Sequence, residues 1–407
     1  MIKQQFEVTP GYKKWSLGLL AVGGLVLVLG FVFLGLSSDE HSQTRFWAVL
    51  LQNSTYFLLI CNASMFFICI TTLAMGGWQV AFRRVPEAIS AIVPVFSILA
   101  LLVFVGIIFG HQHHIYHWLD KEHVEHDKIL KGKSAFLNPT FFFIWTIITL
   151  AVWNFVGRKM RQLSARSDEP MDGIEGAKSW VNSNIIWAAT FIVFFGLTVG
   201  STIPWLWLMS IDAHWYSTMY SWYTFASTFV SGMALIALFV IYLKNNDYLE
   251  YANDEHLNDL GKFMFAFSIF WTYLWFSQFM LIWYANIPEE TVYFKPRTQG
   301  AYTGIFYLNL IVNFVLPFLL LMTRGAKRNY TTMTFLAVLI IVGHWIDFYQ
   351  MVMPGALGEH FSLGWYEFGI LALYAGLIMH FVGRSLSSKP LVPRFNPFLK
   401  ESIIHHV

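Results

Sequence analysis

The sequence predicts an all-α integral membrane protein with about ten transmembrane helices. Of its 407 residues, 56% are hydrophobic and only 12% are charged, whereas soluble proteins average about 25% charged residues. The chain also contains repeated apolar runs of the length that a helix needs to cross a bilayer, which is about 20 residues. These three observations argue against a soluble enzyme.

Ten apolar runs follow one another along the chain. The first follows Lys13 and Lys14 and could mimic a signal peptide, but it is too long and lacks a small-residue cleavage site, so we expect an uncleaved helix. The fourth run is the shortest. The predicted spans are 15–36, 46–75, 85–109, 139–155, 185–209, 216–242, 261–286, 301–322, 331–353 and 364–386.

The distribution of basic residues predicts the orientation. Of the 26 lysines and arginines, 19 lie at the side of the spans that carries both termini and seven at the other side. Because basic residues concentrate in cytoplasmic loops, both termini are predicted to be cytoplasmic. The longest outer segment is then 110–138.

A weak internal repeat predicts the domain organisation. The outer segments around His214 and His360 both contain a His-aromatic string with a serine, followed by Trp-Tyr. This indicates two parallel four-helix units, with the first and last helices outside them. The predicted limits are 1–45 for the N-terminus and first helix, 46–209 and 210–353 for the two bundles, and 354–407 for the last helix and cytoplasmic tail.

Several classes of cofactor site are excluded by the residues present. The two cysteines, Cys61 and Cys69, lie in one apolar run, which rules out a disulfide framework, a thiolate zinc site and a cysteine-ligated iron–sulfur cluster. The sequence has no Cys-x-x-Cys-His haem attachment and no phosphate-binding loop. The net charge of +2 gives no support to nucleic-acid binding.

Few ionisable residues fall inside the predicted spans, where charge is costly and often functional. They are the acids Asp347 and Glu367 and the histidines His344 and His380. Asp347 lies about 24 Å and His344 about 20 Å from the cytoplasmic start of span nine, and their spacing places both on one helix face. Glu367 and Gln278 are predicted at a similar level near the outer face.

This level has the chemistry that a quinone requires. A quinone headgroup needs hydrogen-bond donors and an acceptor for the protons that its oxidation releases, and a His344–Asp347 pair provides both. The alternative is a structural pair that ties helices together, and Glu367 could simply reach the interface. Asn309 and Asn313 are predicted to hold helices together.

A transmembrane haem is not expected. It needs two imidazoles at one level on facing helices, but His380 lies about 9 Å from the cytoplasmic end and therefore about 11 Å from the level of His344. His380 is instead a candidate for a proton path. Six histidines between 111 and 126 could bind zinc or copper, but they alternate with acids, so we expect a docking or solvated surface whose contacts respond to pH.

Three strings of sequence resemble the membrane subunits of bacterial alternative complex III, which are relatives of the polysulfide-reductase membrane subunit. The strings are His-Ile-Tyr-His-Trp at 114–118 with Phe-Leu-Asn-Pro-Thr-Phe-Phe-Phe at 136–143, then 210–220, and finally 343–354. The resemblance covers nearly the whole chain. Its length and short N-terminus are similar to the F subunit rather than to the longer, homologous C subunit.

The resemblance implies a complex in the bacterial inner membrane that oxidises menaquinol or ubiquinol and reduces a periplasmic cytochrome c or an oxidase. The implied partners are a multihaem cytochrome c, an iron–sulfur subunit, the homologous C-type membrane subunit, a terminal oxidase and membrane lipid. No metal cofactor is expected in this chain, although bound lipids are. The matching motifs make Asp212, His214, His344 and Asp347 the candidate site residues, for quinone contact, proton conduction or neither.

Two other functions stay open. A secondary transporter would also have ten spans, a repeat and polar groups at depth. Against it, the repeat is parallel, the polar groups are predicted near the outer face, and no span is broken by paired Gly and Pro. The third possibility is a catalytically silent scaffold subunit of a respiratory complex.

Overall fold

The computed structural model describes residues 5–110 and 112–406, and for residue 123 the backbone only. Over these ranges the chain folds into helices without any β-strand. Ten of the described helices are long and apolar enough to cross a membrane, which confirms the predicted fold class. His111, the first residue of the histidine-rich segment, lies outside the described residues.

The ten spanning helices are labelled in chain order. They are α1 Pro10–Gly35, α2 Glu40–Leu73, α3 Arg84–Phe109, α4 Pro139–Asp168, α5 Gly173–Trp207, α6 Met219–Lys244, α7 Asp254–Ala285, α8 Thr303–Leu320, α9 Tyr330–Leu357 and α10 Trp365–Ser387. An even number of spans places both termini on one face of the protein, here called the termini face. The other is the opposite face.

Asparagine side chains define where several helices begin. Asn138 accepts a hydrogen bond from the Phe141 amide of α4 at 2.8 Å, and Asn329 accepts one from the Thr332 amide of α9 at 3.0 Å. Such caps satisfy amides that the first turn of a helix leaves without a partner. In α4 the cap is followed directly by Pro139, whose fixed φ suits the first helical position.

The predicted end of the fourth span was wrong. That span was expected to stop at 155 because Arg158 and Lys159 follow, but α4 continues to Asp168. Met160 and Leu163 of this extension are buried, and Arg158 is exposed. The predicted loop 156–184 therefore shrinks to 169–172 between α4 and α5.

The spans α2–α5 and α6–α9 form two consecutive groups that contact each other widely, through α2 with α6 and α9 and through α5 with α6, so the predicted division into two bundles stays a prediction. Helices α2 and α6 are the most deeply buried. Outside both groups, α1 pairs along its length with α10. Close approach there depends on Gly23, where an added Cβ would come within 2.5 Å of Leu373 in α10.

Two spans widen into a π-helical turn just before a proline. The turns are Thr198–Thr202 ahead of Pro204 in α5 and Ile311–Val315 ahead of Pro317 in α8. Proline lacks an N–H and its ring collides with the carbonyl four residues earlier, so a wider turn relieves the clash. The sequence was expected to contain no span broken by paired Gly and Pro. Helices α5 and α8 do continue through Pro204 and Pro317, but each changes to a π-helical turn just before its proline.

Asp347 lies deeper than predicted. Helix α9 ends at Leu357 rather than at 353, with Pro354 inside its last turn. Asp347 is therefore about 15 Å along the axis from the end of the helix at the opposite face, which is closer to the middle of the span than the sequence indicated.

Candidate functional site

The candidate site is a cluster of polar side chains around Asp347, which is fully buried. Four donors from three other helices bind its carboxylate. The Asn309 amide donates to Oδ1 at 2.7 Å, and the Trp271 indole and Ser227 hydroxyl donate to Oδ2 at 2.9 Å each. The Tyr223 hydroxyl donates to Oδ1. Asp347 thus joins α6, α7 and α8 to α9, with no described lysine or arginine paired to it.

His344 belongs to the same cluster but contacts Asp347 mainly through Ser227. Its Nδ1 lies 3.7 Å from Asp347 Oδ2 and 2.9 Å from Ser227 Oγ. Its Nε2 is buried and has no hydrogen-bond partner among the described residues, and its ring stands edge-on to Trp271 at 5.3 Å between centroids. The predicted pair is therefore adjacent in space, and a serine from α6 bridges it.

The π-turn of α8 places the amide that reaches Asp347. Asn309 lies in the helical turn just before Ile311–Val315, and Asn313 lies within that turn. The Asn313 amide donates to Asn309 Oδ1 at 2.5 Å, which leaves the Asn309 amide group free to donate to Asp347. Asn309 thus links α8 to α9 through the site carboxylate, whereas the hydrogen bond of Asn313 stays within α8.

A small cavity lies beside the cluster on its side toward the opposite face. It has a volume of about 20 Å³, and Tyr223 and Asn309 separate it from Asp347, so it has room for roughly one water molecule. Gln278 and Gln350 also line it, and Gln278 Nε2 and Gln350 Oε1 are buried without partners among the described residues. Gln278, predicted near this level, thus faces the cavity with an unused donor.

Arg297 connects the cavity to the protein surface. It lines the cavity and is only 2% exposed. Its guanidinium donates to the Gln350 carbonyl at 2.9 Å and to Asp212 Oδ2 at 3.1 Å, and it lies 3.5 Å from the ring centroid of Tyr293. Burial raises the pKa of Tyr293 to about 12, so this phenol keeps its proton at neutral pH. Asp212 is 20% exposed and forms the outer end of the route.

A polar route can be traced from Asp347 to the surface at the opposite face. Toward the opposite face, Tyr223, the cavity, Arg297 and Asp212 follow one another. Toward the termini face, the buried positions of α9 before His344 are apolar except for a glycine. They are Met333, Leu336, Ala337, Ile340 and Gly343. The neighbouring helices, however, place the buried polar side chains of Ser231, Ser268 and Asn313 on that side. The traced route therefore leads from Asp347 to the opposite face, although the cluster also has polar groups toward the termini face.

Glu367 belongs to a separate ion pair in the first turn of α10. It is fully buried, and Arg45 of α2 binds both of its carboxylate oxygens at 2.8 Å. The same carboxylate accepts from the Gly364 amide and so caps α10. These charge-assisted hydrogen bonds indicate that Glu367 links α2 to α10.

The remaining predicted residues lie apart from the cluster. His214 contacts Asp127 at 2.5 Å near the surface, and this hydrogen bond is the main cause that lowers the pKa of Asp127 to about 2. His380 is exposed on α10, with Phe381 as its neighbouring ring. In the histidine-rich segment His114 contacts Glu40 at 3.1 Å, and the described residues contain no group of three or more His, Cys, Asp or Glu side chains placed to hold a metal.

Sequence reasoning missed most of the partners of Asp347. Tyr223, Ser227 and Trp271 are common residues in apolar helices, and Arg297 lies in what was expected to be an exposed outer loop. One usable signal was the four-residue spacing of Tyr223 and Ser227, which places two hydroxyls on one face of α6. No protein-family model and no curated protein matches the chain.

Proposed function

We propose that this chain is a multi-pass membrane subunit of a respiratory quinol:cytochrome c oxidoreductase, in which Asp347 exchanges protons with the periplasm. The observation that carries the proposal is a fully buried carboxylate, held by neutral donors and joined through a water-sized cavity to Arg297 and the partly exposed Asp212. The similarity of 210–220 and 343–354 to alternative complex III membrane subunits supports the choice of complex, because these strings contain Asp212 and Asp347.

The surroundings of Asp347 suit a group that gains and loses a proton. Tyr223, Ser227, Trp271 and Asn309 each hold a proton-bearing group against the Asp347 carboxylate. His344, bridged by Ser227, offers a second site for the same proton.

The geometry favours proton exchange over quinone contact at this position. Sites for small organic ligands have volumes of roughly 300–1,000 Å³, whereas the cavity beside Asp347 has about 20 Å³. We therefore assign quinol oxidation to the homologous C-type subunit, with menaquinol or ubiquinol as its substrate. The haems and iron–sulfur clusters belong to further partner subunits, and this chain takes up protons or couples their release.

The complex is tested by purifying the full-length tagged protein in a mild detergent. We expect it to migrate on a native gel with haem-staining subunits, which mass spectrometry identifies as a multihaem cytochrome c and an iron–sulfur protein. A secondary transporter would migrate alone. Migration without any haem protein, in membranes where the host respires on quinol, would contradict the proposal.

We further propose that the membrane is the bacterial inner membrane, with both termini cytoplasmic and the Asp212 end of the route periplasmic. Cysteines at Glu125 and Glu169, which are both exposed, test this orientation. The native Cys61 and Cys69 are buried and give little background. With only the outer membrane permeabilised, an impermeant reagent should label Glu125→Cys and spare Glu169→Cys, and the reverse pattern would refute the orientation.

A further inference from the structure

A second charged cluster lies at the termini face, where α3 begins and α4 and α10 end. Arg83 and Arg84 are buried and both bind the buried Glu87, at 3.0 and 2.8 Å. Arg84 also binds Asp168 at the end of α4, at 2.5 Å. The two carboxylates of the cluster are thus each occupied by arginine.

Two more cations, Arg161 and Lys389, face this cluster without a carboxylate of their own. Arg161 donates to the Ser90 carbonyl and hydroxyl at 3.1 Å each, which are both neutral groups. Among the described residues, neither Arg161 nor Lys389 has a carboxylate oxygen within 4.0 Å. Four cations therefore meet two anions, and two positive charges remain uncompensated.

A cavity of about 40 Å³ separates these groups. Arg84, Glu87, Arg161, Ser385 and Lys389 line it. The volume corresponds to about three water molecules. Arg84 Nε is buried there without a hydrogen-bond partner among the described residues.

The location of the cavity indicates what kind of anion could balance the two uncompensated cations. The cavity lies at the common level of three span ends, where lipid headgroups meet a membrane protein, and basic pockets between spans on the cytoplasmic side bind anionic headgroups. We propose that this cavity binds the phosphate of an anionic phospholipid. The proposal does not depend on the function assigned to Asp347.

Lys389 is the residue to change, because it lies in the segment after α10 and is half-buried. Burial lowers the pKa of Lys389, as expected for an ammonium that lacks a counter-ion, and a bound phosphate would oppose that shift. Lys389→Gln removes the charge and preserves most of the length of the side chain. Lys178→Gln is the matched control, since Lys178 is exposed at the same face and pairs only with Glu175.

The test measures binding of phosphatidylglycerol, phosphatidylcholine and inorganic phosphate to the detergent-purified full chain by native mass spectrometry. We expect phosphatidylglycerol to bind wild type and the Lys178→Gln variant equally, and Lys389→Gln about fivefold more weakly. Arg161→Gln should show the same loss and serves as a second variant if Lys389→Gln does not fold. Phosphatidylcholine should bind no variant selectively.

Equal phosphatidylglycerol binding by wild type and both cavity variants would overturn the proposal. So would equal affinity for phosphatidylcholine, since that result would show that the net negative charge of the headgroup does not contribute to binding. Occupancy by inorganic phosphate with no binding of phosphatidylglycerol would overturn the assignment to a lipid.

Discussion

Replacing Arg45 with methionine is expected to destabilise the protein more than neutralising its partner does. Arg45 binds Glu367 through two hydrogen bonds of 2.8 Å, and Glu367 is fully buried while Arg45 is 22% exposed. In the Arg45→Met variant the carboxylate keeps only the Gly364 amide as a donor. Breaking a buried ion pair costs about 3–5 kcal/mol. Water can enter where Arg45 is exposed, so we expect about 3 kcal/mol of lost unfolding free energy.

The reverse change should be milder. Glu367→Gln leaves an arginine that can turn toward water, and the lost hydrogen bonds cost about 1–2 kcal/mol. The double variant Arg45→Met with Glu367→Gln contains no unpaired buried charge. Its stability should therefore be close to that of Glu367→Gln alone, which gives a coupling energy of about 3 kcal/mol between the two sites, equal to the whole Arg45→Met loss.

The assay is denaturant unfolding of the four proteins in one detergent and lipid mixture, followed by tryptophan fluorescence. Lys178→Met serves as a control for removing a surface cation and should change the unfolding free energy by less than about 0.5 kcal/mol. A loss of under about 1 kcal/mol for Arg45→Met, or a double variant whose loss equals the sum of the single losses, would refute the reasoning.

Three further predictions concern the contacts around the site. Tyr223→Phe removes one donor to Asp347; the unfolding free energy should fall by about 1–2 kcal/mol and quinol turnover of the assembled complex should slow, whereas unchanged turnover would exclude Tyr223 from the route. In Gly343→Ala the new Cβ would lie 2.2 Å from Asn313 Oδ1 and push α8 away from α9. The unfolding free energy measured with denaturant should fall by about 1–3 kcal/mol. The control is Gly304→Ala in α8, where the new Cβ meets no atom within 4 Å and the unfolding free energy should not change. The pKa of Asp127 is lowered to about 2. Its contact with His214 should therefore stabilise the outer segment fully above about pH 4, and this stabilisation should be lost as pH falls toward 2. In Asp127→Asn, hydrogen exchange of the 127–130 amides should no longer depend on pH in this range, and an unchanged profile would show that another group titrates.

The membrane fold was predictable because bilayer crossing imposes a length and an apolar composition that can be counted along the chain. Helix ends were harder to predict. At Arg158 the sequence changes from apolar to charged, which marks the end of the apolar run, but the helix continues because Met160 and Leu163 still have a buried surface to pack against. The end of α9 was also misplaced, since Pro354 suggested a stop and instead lies within the final turn.

Asp347 was identified from sequence because a carboxylate in an apolar run is costly and therefore needs a reason. Its partners could not be identified in that way. Trp271 and Asn309 are 76 and 38 residues away from it in sequence, and only the packing of α7 and α8 against α9 brings them into contact. Arg297 was missed because a basic residue in a loop is normally solvated, and its burial depends on Asp212 and on the carbonyl of Gln350.

The role of Glu367 was likewise decided by tertiary contacts. Near the start of a helix it was equally compatible with an interfacial side chain and with a proton-exchanging acid. Arg45, which lies 322 residues earlier in the chain, makes it a paired structural charge. For His380, the depth along its helix could be calculated from the sequence, but the sequence did not show that its side chain is exposed.

The central claim is that Asp347 exchanges protons during quinol oxidation, and proton release measured together with turnover tests it most directly. The assembled complex with Asp347→Asn is placed in liposomes, and Glu367→Gln is the control that neutralises a buried carboxylate outside the route. We expect both variants to assemble, with Asp347→Asn losing most proton release per electron or most turnover, and Glu367→Gln retaining both. Wild-type turnover and wild-type proton release in the Asp347→Asn complex would contradict the account and leave the cluster as a purely structural contact among α6, α7, α8 and α9.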